Sequence, residues 1–151
     1  MVQYDLILFL DGDSVLMRCL DGILSAPAES RIAPVACPGG FWGWDTLNTG
    51  FMILQPSLKM FHYFEALLGV QDSFDTSIAD QSVLNVALSR EGPTPWTAVD
   101  FSWNIQWPWP EDIKAGYAVL YEKWWAPTHW ESKDYFLSWY WRMIGYYSAS
   151  D

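Results

Sequence analysis

The stretch Leu6-Ile7-Leu8-Phe9-Leu10-Asp11-Gly12-Asp13 constrains this chain more than any other, because it carries two acids to the end of an apolar run. Five consecutive apolar residues predict a β-strand covered on both faces, the pattern of a parallel sheet inside an α/β domain. A buried strand cannot continue through acids, so it stops at Asp11. Asp11 and Asp13 lie two apart; in extended chain both project from one face, near enough to share a divalent cation. Gly12 between them puts no side chain into the space a ligand would occupy. Ligand sites of open α/β sheets lie off the carboxyl ends of strands, and this pair falls at such an end.

The charge balance limits what that site can meet. With 151 residues, 51% of them hydrophobic, the chain can bury the core of one domain, residues 1–151. A formal net charge of −10 argues against nucleic acid or an anionic membrane as the main partner, since those need clustered Lys and Arg. A phosphate-bearing ligand would therefore need a metal. Cys19 and Cys37 have no CxxC neighbours, so neither a disulfide framework nor a zinc site is indicated. No apolar run is long enough for a transmembrane segment, and no basic-then-apolar signal opens the chain. The compartment stays open between cytoplasm and Golgi lumen, because a targeting segment could be missing.

Further elements follow from pattern. Val15 to Met17 continues as extended chain, and Asp21 to Leu24 turns into a short helix. Ala26 to Ser30 reads as loop, Ile32 to Cys37 as an edge strand, and Pro38-Gly39-Gly40 as a breaker. Leu47 to Leu54 predicts a second strand with a polar entry, ended by Pro56. Ser57 can cap a helix whose inner face would hold Leu58, Phe61, Phe64 or Glu65, and Leu68, with Gly69 as its stop. A further helix opens at Thr76 or Ser77, with Ile78, Leu84, Ala87 and Leu88 inside and Asp80 and Gln81 near its first turn. Trp96 to Trp107 reads as broken strand, Pro108 and Pro110 as an irregular turn, and Tyr117 to Tyr121 as a last strand. Thr128 and Glu131 have capping-box spacing before a helix running from about Trp130 towards Tyr147, apolar nearly all round and so expected to be buried on several sides or to face a partner.

Asp-x-Asp after a buried strand serves two superfamilies: sugar transferases that hold a nucleotide diphosphate through a metal, and haloacid dehalogenase-like phosphatases, in which the first Asp is a nucleophile. Asp11 to Leu16 fits the phosphatase string, but Lys59, Lys114, Lys123, Lys133 and Glu111-Asp112 do not stand where that chemistry needs a lysine and a second acidic pair. Three segments weigh the other way. Tyr4 to Asp13, Leu47 to Ser57, and Asp80-Gln81-Ser82-Val83-Leu84-Asn85 come in an order and spacing that resemble the glycogenin-like glycosyltransferases, retaining enzymes of GT-A fold. Trp103-Asn104-Ile105-Gln106-Trp107, Tyr121 to Trp125 and Trp141-Arg142-Met143 are similar to fungal-type members.

The resemblance implies an α/β, GT-A-like, Rossmann-related domain with a mixed, mostly parallel sheet flanked by helices. It implies a metal-dependent hexosyltransferase, moving a hexose from a UDP-sugar to a glycan or protein acceptor. Asp11 and Asp13 would bind Mn2+ or Mg2+ and the diphosphate, with Gly12 and Lys123 beside the cofactor. Tyr121 stands in the slot where members carry a third metal ligand, a histidine; His129 could substitute if its loop folds back. A phenol with a reference pKa of about 10 is a poor metal ligand at neutral pH. Asn48, Asp80 and Gln81 would be the catalytic residues around the donor sugar, although Asn48 could simply satisfy a turn and Asp80 could be an ordinary first-turn acid. His62 reads as a core or groove residue. Trp42 and Trp44 could touch acceptor, while Trp124, Trp125, Trp139 and Trp141 read as packing.

Members also carry a strand-helix-strand unit for uracil and ribose well before the acid pair, whereas only three residues precede Tyr4. The expectation is a domain truncated at its N-terminus that keeps the metal and acceptor side. Its first strand would have a bare edge, open to self-association or a partner, and the isolated chain could be inactive. A non-catalytic sugar-binding relative is the first alternative and a haloacid dehalogenase-like phosphatase the second.

Overall fold

The computed structural model describes residues 3–25, 47–89, 91–123 and 125–149. In chain order the elements are β1 (Ile7–Leu10), β2 (Ser14–Leu16), α1 (Asp21–Leu24), β3 (Phe51–Leu54), α2 (Leu58–Leu68), α3 (Ala79–Ala87), β4 (Ile105–Gln106), α4 (Pro110–Ala115), β5 (Val119–Tyr121) and α5 (Lys133–Ser148). The fold is mixed α/β, with small sheets and helices. It divides into two compact units: Met1–Asp11 with Leu20–Phe101, and Gly12–Cys19 with Ser102–Asp151. The expected loop Ala26 to Ser30, the edge strand Ile32 to Cys37, the breaker Pro38-Gly39-Gly40, and Trp42, Trp44 and Trp124 lie outside the described residues.

In the first unit β1 pairs antiparallel with β3, Ile7 opposite Leu54 and Leu10 opposite Phe51. Phe51, Met52 and Ile53 are buried, but β1 is only half covered and Phe9 is 41% exposed. This corrects the expectation of a strand buried on both faces in a mostly parallel sheet. An antiparallel pair can leave one face to water, which a parallel βαβ layer cannot. Leu47, Met52, Leu88 and Trp96 form the core, with Leu54, Phe64 and Leu84 packed against it. Each such fully buried side chain contributes roughly 1.5–3 kcal/mol. Leu47 to Gly50 is not strand but an isolated bridge and a turn leading into β3.

Ser57 caps α2 as expected, its hydroxyl accepting from Met60 N–H at 3.1 Å. The inner face differs. Met60, Tyr63, Phe64 and Leu67 are the half-buried positions, a run at helical spacing, whereas Leu58 (60%), Phe61 (53%) and Leu68 (60%) are exposed. Phe64 reaches the core, and this rotation leaves Leu58 and Phe61 to wall an apolar cleft of about 410 Å³ with Ile7 and Leu54. His62 is likewise on the outside, paired with Glu65 at 2.9 Å. A 3-10 turn, Thr76–Ile78, leads into α3, which buries Ala87.

In the second unit β5 is central. It pairs antiparallel with β2 and parallel with β4, and Ala118, Val119 and Leu120 are fully buried. Met17 N–H extends the β2 ladder to Ala118 O at 2.9 Å. Pro110 begins a helix rather than an irregular turn: its missing N–H falls at the first helical position, where none is needed, and Gly116 closes α4 at φ 82°. Ser132, buried, donates its hydroxyl to Pro108 O at 2.9 Å and so fixes the start of α5. Only Phe136 of α5 is buried, and every residue from Trp141 to Ala149 is exposed, so of the two expectations for this helix burial on several sides does not hold, while an aromatic face open to a partner agrees with this exposure. The helix's first half packs and its aromatic second half meets water. No helix among the described residues is long and apolar enough to cross a membrane.

Candidate functional site

Each unit carries part of the predicted constellation. In the first, Asp11 follows β1 and donates its N–H to Gly50 O at 2.9 Å, one further rung beyond the Leu10–Phe51 pair. Gly50 N–H in turn donates to Asn48 Oδ1 at 2.8 Å, closing a side-chain turn. Asn48 therefore does satisfy a turn. Because the carbonyl end is committed there, the amide NH2 is the end it can offer elsewhere. Beside it, Asn85 of α3 clasps the Leu47 backbone from both sides, accepting from Leu47 N–H at 2.6 Å and donating to Leu47 O at 2.9 Å. The same amide donates to Gln81 O at 2.8 Å. Two sets of hydrogen bonds, joined through the Leu47–Asn48 peptide, thus link Asp11, Asn48 and the helix turn that carries half-buried Gln81. Asp80 is exposed in the first turn of α3, as either of its expected roles allows. Asn85, which the motif reading quoted but gave no role, is what joins two of the three segments.

The second unit carries Asp13, Tyr121 and Lys123. Gly12 and Asp13 form a turn, so the two acids are not on one continuous extended strand as the spacing alone suggested. A Cβ added at Gly12 would meet nothing within 4 Å. Across from β2, Tyr121 pairs with Ser14, and the next residue, Glu122, donates its N–H to Asp13 O at 3.4 Å. Opposed residues of an antiparallel pair share a face, so the carboxylate that faces Asp13 is Glu122's. Lys123 is exposed.

Glu122 is 2% exposed, yet ionisable. Its Oε1 accepts from Lys123 N–H at 2.9 Å and its Oε2 from Thr128 N–H at 3.1 Å. Burial pushes its carboxyl above the ordinary range; the two backbone hydrogen bonds and His129 pull the other way, and Asp13 adds to the rise. The Thr128 bond draws the chain after β5 onto Glu122, and the next residue, His129, stacks on Trp109 with ring centroids 3.5 Å apart. Sequence reasoning missed Glu122, though the signal was the one used for Asp11: an acid directly behind an apolar strand.

Among the described residues no three carboxylate, imidazole or thiol groups cluster as a cage for a metal ion. Asp11 and Asp13 each offer carboxylate oxygens, the donor type that an ion of magnesium type takes, commonly one or two of them with water and substrate phosphates filling the other positions.

Asp13 and Gly12 also line a cleft of about 310 Å³ together with Ser14, Phe136, Trp139 and Tyr140. Trp139, half-buried, is thus a cleft wall as well as packing, while Trp125 (56%) and Trp141 (62%) are exposed rather than packed.

No protein-family profile matches the chain. It is similar to an uncharacterized protein of Schizosaccharomyces pombe, at 34% identity over 70 residues, which is 46% of this chain and 19% of that protein. The matched stretch therefore spans about a fifth of that relative's length.

Proposed function

We propose that this chain is a glycogenin-like glycosyltransferase of GT-A type, transferring a hexose from a UDP-sugar to a glycan or protein acceptor with retention of configuration. The observation that carries the reading is the Asn85 clasp, which ties the Asn48 turn to the helix bearing Gln81 while Gly50 ties the same turn to Asp11. Three separate sequence motifs so share one hydrogen-bonded frame. Asp11 and Asp13 hold the cation. When bound, Mn2+ or Mg2+ offsets the negative charge that develops on the leaving diphosphate. Gly12 leaves the diphosphate room, and the Lys123 ammonium takes up phosphate charge as a point donor. Asn48 donates its amide N–H to a hydroxyl of the donor sugar. Asp80 and Gln81 hold hydroxyls on the other side, and the Asp80 carboxylate steadies positive charge at the anomeric carbon.

Calorimetric titration of UDP in the presence of manganese tests this. The parent chain should bind, and Asp11→Ala and Asp13→Ala should each weaken binding at least tenfold, the loss of one charge-assisted contact of about 1.5–3 kcal/mol. Unchanged binding in both variants would remove the basis of the proposal.

A further inference from the structure

Beyond Gly12 and Asp13, the cleft between β2 and α5 has a lining that cation binding does not use. Its volume of about 310 Å³ stands at the lower end of small-ligand sites, room for one ring rather than for a nucleotide. Three aromatic side chains, Phe136, Trp139 and Tyr140, form part of its walls. Two polar atoms of the lining residues, Ser14 Oγ and Trp139 Nε1, are buried and make no hydrogen bond. Buried donors are almost always paired, so two of them in one lining mark a place where a partner is missing. Both residues line the cleft and are otherwise half-buried, so a ligand there meets the Trp139 ring and the Ser14 side chain even though the two polar atoms are covered as placed. Rotation of Ser14 about χ1 turns its hydroxyl to meet it.

Charge then selects the ligand class. No lysine, arginine or histidine is among the residues lining this cleft, and Asp13 adds a carboxylate. With no cation bound, a phosphate would be repelled. A neutral polyhydroxy ring needs what is present: aromatic surface for its C–H face and hydrogen-bonding groups at the rim. We propose that the cleft binds one neutral pyranose ring of the acceptor glycan, its C–H face against the aromatic wall that includes Trp139 and one ring hydroxyl bonding the Ser14 hydroxyl. That the ring belongs to an acceptor rests on the transferase reading; that it is a neutral sugar rests on the lining alone.

The test uses the full chain with its tryptophans labelled with nitrogen-15, titrated with methyl α-D-glucopyranoside and methyl α-D-mannopyranoside. The Trp139 indole resonance is assigned by its disappearance in Trp139→Phe, which keeps an aromatic ring in the wall. One glycoside should move that resonance saturably, inorganic phosphate should leave it in place, and Ser14→Ala should weaken the glycoside about fivefold, the worth of one hydrogen bond. An otherwise unaltered indole spectrum shows that Ser14→Ala has kept its fold. A Trp139 resonance that neither glycoside moves, or that moves equally with phosphate, overturns the proposal. UDP with manganese is titrated into the same sample. Binding of UDP without any glycoside effect overturns the cleft and spares the transferase reading; a glycoside effect without UDP binding supports the cleft and sinks that reading.

Discussion

Glu122 carries the most consequential single ionisation in the second unit. Its carboxyl is raised above the ordinary glutamate range by burial, so the folded chain holds a proton that the unfolded chain has already released. Stability from this group is therefore complete below the ordinary glutamate range and falls as pH rises through the raised folded value. In the metal-free chain, the melting temperature of the parent relative to Glu122→Gln should increase as pH is lowered from neutrality towards that range; a difference independent of pH would contradict the assignment. Gly12 makes a second residue-level test. Since an added Cβ meets nothing within 4 Å, Gly12→Ala should leave stability unchanged or raise it by about 0.4–1 kcal/mol, through a less disordered unfolded chain. It should nevertheless weaken UDP by crowding the diphosphate. Thermal melts paired with UDP titration check both halves, and undiminished affinity would mean that the diphosphate does not pass over Gly12.

Among elements, α2 and α3 depend on small polar devices. Ser57→Ala should cost about 1 kcal/mol, lowering the melting temperature by about 2–4 °C. Asn85→Leu should cost more, about 3 kcal/mol, because the fully buried Leu47 backbone loses both partners. Its further signature should be weakened UDP binding, through the Asn48 turn, which Ser57→Ala lacks; denaturant unfolding beside UDP titration separates the two. These elements also show where the sequence was readable. The β1 and β3 runs, the Ser57 cap and the helical span of α3 follow from local pattern, because apolar period and capping chemistry are local. The inner face of α2 did not, since Leu58 and Phe61 keep helical spacing while walling a cleft, and periodicity cannot tell core from cleft. The helix at Pro110 was hidden because proline serves a helix start and a turn equally well. Antiparallel pairing of β1 and the opposition of Glu122 to Asp13 depend on long-range register, to which no local signal points.

For the molecule as a whole, the balance lies in apolar surface. Phe9 in the first unit and Leu16, Trp125, Trp141, Tyr146 and Tyr147 in the second are all more than 40% exposed, and large exposed apolar side chains favour association. Sedimentation velocity should show association that grows with concentration, and replacing Trp141, Tyr146 and Tyr147 together by Ser should reduce it; a monomer at all concentrations would show that this surface is inert. The proposed transfer depends on a cation held by few protein oxygens and completed by a diphosphate. Electron paramagnetic resonance of Mn2+ reads that directly. The chain alone should leave most of the free-ion signal in place, chain with UDP should abolish it well beyond what UDP does by itself, and Asp13→Asn should restore it. A signal that UDP leaves unaltered in the presence of the chain would contradict the account.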